Sequence, residues 1–165
     1  IGIRRYPYTT DNVANPLTYG GVADTLNTQP HGIGTIWATM VWEAYWNIVG
    51  LDGYDPDVYF GTGGNNVTYQ LVMDGMKLQP CSPSFVSGRD AILAADVADY
   101  DGDHECALWT AFAERGLGTA ASTGASSNDR VVTESFLLPA SCNSTYIFSS
   151  SFGHGDFSHW SASVP

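Results

Sequence analysis

His31 stands at the head of a long apolar stretch, after Pro30 and before Gly32, where an imidazole can project from a helix start into a cleft. With an ordinary pKa of about 6.5, such a group can donate a proton or hydrogen-bond a developing oxyanion; it can equally be a plain capping histidine. Arg4 and Arg5 are two of only six cations. A planar guanidinium suits a carbonyl or carboxylate, and the competing role is a salt bridge to one of the chain's many acids. Asp99, Asp101 and Asp103 alternate in DYDGDHE, but an EF-hand loop also requires Glu at its twelfth position, where Thr110 or Phe112 stands. Those acids read as a solvated helix connection, with Asp103 as the next N-cap. His154, Asp156 and His159 form another set of metal-ligand types, though their interval is not one of the tight zinc spacings. The chain has no GxSxG, no phosphate loop with lysine, no CxxC and no HExxH.

The elements that must position these groups are mainly helical. From Gly32 to Val49, Ile33, Ile36, Trp37, Met40, Val41, Ala44, Tyr45 and Ile48 recur at helical spacing, with Trp42 and Trp46 on the neighbouring face. That pattern predicts a central helix buried nearly all round. A second helix is expected from Val67, with Leu71, Val72, Met76 and Leu78 on its inner side and Pro80 ending it. Ser82 or Ser84 caps a third, with Phe85, Ile92, Leu93 and Val97 inward. The fourth, HECALWTAFAERGLG, ends with Arg115 in its last turn and Gly116 as a left-handed cap. Between them, residues 1–30 read as an extended segment anchored by aromatics, 51–66 and 119–130 as surface loops, and 131–139 as a short extended piece. Residues 143–165 are a Ser-rich aromatic tail. The expected class is mainly α, with long irregular loops and no strand ladder.

Composition limits the partners. Seventeen acidic against six basic residues give a net charge of −11, with Lys77 the only lysine. Nothing offers a basic stripe for nucleic acid or an anionic membrane surface, and no apolar run approaches the roughly 18 residues of a transmembrane span. Asn66-Val67-Thr68 and Asn143-Ser144-Thr145 fit the N-glycosylation pattern, in keeping with a secreted, extracellular protein. Cys81, Cys106 and Cys142 allow one bridge in any of three pairings; the third sulfur is a buried free thiol or a link to another chain. The sequence begins without an initiator Met or a signal-peptide pattern, so the chain is expected to be a processed product or an excised piece.

GIRRYPYTT, NPLTY, HGIGTIWATMVWEAYWNIV, GTGGNNVTYQLVMDGMKLQPCSPSFVSGRDAIL, CALWTAFAERGLG and ESFLLPASC follow one another over residues 2–142. In that order they resemble the C-terminal half of the fungalysins, secreted fungal zinc metalloendopeptidases of thermolysin-like architecture. The resemblance implies a helical lobe over 1–142 that forms one wall of a substrate cleft, while HExxH, its zinc and the downstream Glu ligand sit in a separate N-terminal half. It also implies that His31 stabilises the tetrahedral oxyanion and that Arg4 or Arg5 orients a substrate carbonyl. Where the family's acid that positions this histidine would stand, this chain has Leu26 and Asn27.

The expected function is therefore the substrate-side lobe of a zinc metalloendopeptidase, with no cofactor of its own. It would be inactive without the zinc-bearing half of the same precursor, which is its expected partner alongside a peptide or protein substrate. The alternative is a standalone secreted binding or defence protein that kept the helical lobe and has no protease activity.

Overall fold

The computed structural model describes residues 4–24, 30–124 and 130–143. Its helices are α1 (His31–Asp52), α2 (Gly64–Leu78), α3 (Phe85–Tyr100) and α4 (Glu105–Glu114), and no named strand occurs among the described residues. Helix α1 packs against both α2 and α4, and α2 packs against α3. The seam between them holds Ile36, Met40, Ile48, Leu71, Leu108 and Phe112, each almost fully buried. Burying one such side chain stabilises the fold by about 1.5–3 kcal/mol. Trp37 closes one end of the seam, edge-on to Phe85 at 5.5 Å and stacked on Phe112 at 6.1 Å.

Local chemistry sets the element ends. Gly53 closes α1 with φ +77°, and the chain returns at once, because Gly64 N–H donates to the Gly53 carbonyl at 2.8 Å. Gly64 lies so close to α1 that a Cβ there would sit 2.4 Å from the Ile48 carbonyl oxygen. The loop between runs over 53–63, shorter at both ends than the sequence suggests, and Asp55 and Asp57 fold it by accepting from nearby backbone N–H groups. Ser84, not Ser82, caps α3: its hydroxyl accepts from Ser87 N–H while the Ser87 hydroxyl accepts from Ser84 N–H.

Several expectations need correction. α1 is not buried all round: Trp46 and Leu51 face solvent, and the buried face includes Thr35, Thr39 and Glu43. Met76, Leu78 and Val97 are likewise exposed, because they lie beyond the arc that α2 and α3 press against each other and α1. Asp103 does not cap α4. His104 holds that position, because Asp96 of the preceding helix accepts its N–H at 3.1 Å while Asp103 N–H turns back to the Tyr100 carbonyl.

Cys106 is bridged to Cys142, which fastens the end of the described chain to α4. Cys81 is free and exposed rather than buried, since it sits in the turn between α2 and α3. The extended piece at 131–139 pairs with 116–122 through isolated bridges at Leu117 with Ser135 and Ser122 with Thr133. Gly116 adopts the left-handed φ of +81° expected after α4.

Candidate functional site

Three polar residues, Thr35, Thr39 and Glu43, recur every four positions on the buried face of α1, and all are 3% exposed or less. That spacing aligns them in one row along the helix, and buried polar groups require partners. The N-terminal segment supplies most of them. Arg4 Nη1 donates to Thr35 Oγ1 at 2.9 Å, and Asn15 Nδ2 donates to Thr39 Oγ1 at 3.0 Å. Glu43 accepts from Arg115 Nε at 2.7 Å and from Nη2. The same guanidinium donates to the carbonyls of Asn15, Leu17 and Thr9. Arg115 is thus the hub that holds residues 9–17 against α1 and α4.

At the top of this row His31 opens α1. It is exposed, Pro30 at the cap position supplies no side-chain acceptor, and no acid lies in the first turn. The helix start therefore presents unsatisfied N–H groups and the positive pole of its dipole. Arg4 lies across this turn, 2.9 Å from the Thr35 hydroxyl and 3.5 Å from the His31 carbonyl oxygen, with its guanidinium 5.8 Å from the centre of the Tyr8 ring. Arg5 instead lies over Tyr6, 5.6 Å from the ring centre. Of the two arginines, Arg4 is the one that shares a surface with His31. A histidine, a guanidinium and a helix N-terminus together make a cluster of donors fitted to a carbonyl or carboxylate oxygen. Leu26 and Asn27 lie outside the described residues.

Two further charged clusters escaped the sequence reading. Arg115 reads as a helix-end cation but is 1% exposed. Its signal was Glu43, an acid in the middle of α1 and in phase with Thr35 and Thr39. Beside the pair, partial desolvation and then the charge of Glu43 raise the Glu114 carboxyl above its ordinary 4.5. The second cluster joins three elements. His104 Nδ1 faces Asp96 Oδ1 at 2.7 Å and Nε2 faces Asp52 Oδ2 at 2.9 Å, with Tyr100 edge-on to the ring. This clamps the end of α1 to the junction of α3 and α4.

Asn66 and Asn143 lie away from His31 in the chain. Asn66 sits in the first turn of α2, where its Nδ2 donates to the carbonyls of Asp57 and Val58 and Thr68 of its triplet is buried. Asn143 is exposed at the end of the described chain. His154, Asp156, His159 and residues 144–165 of the tail lie outside the described residues.

A model of the fungalysin metallopeptidases matches residues 1–121, nearly the whole of this helical unit. The chain belongs to the fungalysin family. An extracellular metalloproteinase of Aspergillus fumigatus is 50% identical over 126 residues, covering 73% of this chain and 20% of the relative. One from Fusarium vanettenii is 45% identical over 146 residues, 84% of this chain and 22% of the relative. Extracellular metalloproteinase 10 of Coccidioides posadasii is 48% identical over 126 residues. The chain spans about a fifth of the length of these relatives.

Fungalysins are zinc peptidases, and the described residues of this chain do not fit the metal. Among the described residues no group of three or more His, Cys, Asp and Glu side chains could hold an ion, and the sequence carries no HExxH. His104 is committed to two carboxylates and His31 has no acidic neighbour in its turn. No helix of the described residues is long and apolar enough to cross a membrane.

Proposed function

We propose that this chain is the substrate-side lobe of a secreted zinc metalloendopeptidase, forming one wall of the cleft in which a peptide is held. The observation that carries the reading is the placement of Arg4 and His31 on one exposed turn at the positive end of α1. In this role Arg4 donates to a substrate carbonyl and orients it. His31 donates to the oxygen that gains charge when the scissile carbonyl becomes tetrahedral. Donors fixed on a rigid helix end cost little reorganisation as that charge develops, which is why such groups accelerate acyl transfer.

Zinc and its ligands belong, in this proposal, to the part of the relatives' length that this chain does not span. The relatives' description as extracellular supports secretion, and N-linked glycans at Asn143 and Asn66 are part of the same reading. For Asn66, attachment has to precede folding, because the folded loop engages its amide.

The test is direct. The purified 165-residue chain is assayed on a fluorogenic peptide, alone and within the full-length protease. The chain alone should show no chelator-sensitive hydrolysis, and the full-length protein should cleave. Chelator-sensitive hydrolysis by the isolated chain, or an inactive full-length protein of native fold, overturns the proposal.

A further inference from the structure

The Arg4 side chain is long and exposed, yet it ends on a fixed point, the buried hydroxyl of Thr35. Thr35 Oγ1 donates its single hydrogen to the His31 carbonyl at 2.7 Å. Toward Arg4 it can then only accept, and Nη1 stands 2.9 Å away on that side. The helical back-bond is ordinary for threonine, and Thr39 makes the same one to Thr35. What distinguishes Thr35 is that its remaining lone pair points a guanidinium at the turn that bears His31.

The remaining contacts of Arg4 are looser: the His31 carbonyl at 3.5 Å and the Tyr8 ring at 5.8 Å. Among the described residues no carboxylate pairs with Arg4, although the chain carries seventeen acids. A cation held at the positive pole of a helix is disfavoured there by the dipole, and a neutral hydroxyl offsets this without neutralising the charge. Arg4 is thereby ordered while its charge stays available to an incoming oxygen. A carboxylate in place of Thr35 would order it equally well and quench it.

We propose that Thr35 is a positioning residue of the substrate site: its hydroxyl fixes Arg4 beside His31, so that both donors meet one peptide. This rests on the reading of Arg4 given above, and the experiment separates the two. In the full-length protease, kcat and KM are measured for Thr35→Val, Thr35→Ser and Arg4→Ala, and for Thr35→Val combined with Arg4→Ala, with Tm recorded for each.

Thr35→Val removes the hydrogen bond from the charged Arg4 donor together with the back-bond to the His31 carbonyl, and kcat/KM should fall about tenfold through the first of these. Thr35→Ser, which keeps the hydroxyl, should stay within about twofold of the parent. In the Arg4→Ala background Thr35→Val should cost nothing further, which a merely structural threonine would not achieve. A full additional loss in that background overturns the positioning role, as does Thr35→Val activity equal to the parent while Arg4→Ala is impaired. Unchanged kcat/KM in Arg4→Ala overturns the reading of Arg4 itself. If Thr35→Val does not fold, Thr35→Ala enters the same cycle with the same expected outcomes.

Discussion

Replacing Arg115 by Met should loosen the N-terminal segment while leaving the helical core in place. Arg115 and Glu43 are 1% and 3% exposed, so the substitution strands a carboxylate with no cation in a site that water does not reach. Removing one partner of such a pair costs about 3–5 kcal/mol, a large share of the roughly 5–15 kcal/mol that stabilises a typical domain. For a domain of this size that corresponds to a Tm lower by about 10–15 °C. The carbonyls of Thr9, Asn15 and Leu17 lose their donor at the same time, so the amides of Asn15 and Tyr19, which bond Asp11 and Arg115, should exchange faster than those of α2 and α3.

Urea unfolding followed by tryptophan fluorescence gives the first quantity, and amide hydrogen exchange gives the second. Replacing both Glu43 and Arg115 by Met removes the stranded charge and should recover most of the loss. A single-variant cost below about 1 kcal/mol, or exchange that rises uniformly over the chain, would refute the hub role of Arg115.

Other consequences follow from the bridge and from Glu114. The disulfide closes a loop with a sequence separation of 36 residues; Cys106→Ser with Cys142→Ser should lower stability by about 3–4 kcal/mol on a chain-entropy basis, read by urea unfolding. An aromatic disulfide reagent should meanwhile label one thiol per native chain, at Cys81. The Glu114 carboxyl is raised on folding, so the folded state binds more protons than the unfolded state just above the ordinary value of 4.5. Stability from this group is fully present below that value and is lost as pH rises through the folded value. Glu114→Gln should flatten the decline of stability with pH above 4.5 and leave the variant more stable than the parent at pH 7, as followed by Tm against pH.

The helices were legible because their apolar positions recur at 3.6-residue spacing and their ends carry glycine, proline and serine signals: Pro80, Ser84 and Gly116 all stand at boundaries. Misjudged details share one cause. Periodicity says that Met76 and Val97 lie on an apolar face, but not how far the neighbouring helix extends over that face. Asp103 lost the cap position of α4 to His104, whose N–H is held by Asp96 eight residues back, a partner local sequence does not reveal. Residues 4–17 show no periodicity of their own, because their order comes from Thr35, Thr39 and Arg115. His31 and Arg4 were singled out by residue type and by resemblance to the family. Their meeting through Thr35 spans 31 positions, which only the folded chain brings together.

The role of His31 is the point on which the functional reading turns, and kcat of the full-length protease carrying His31→Ala measures it. His31 is exposed at a helix start, so its removal should leave Tm within a few degrees of the parent. Loss of one donor to the developing oxyanion should lower kcat by about 10²–10³. A folded His31→Ala enzyme with kcat within threefold of the parent would contradict it.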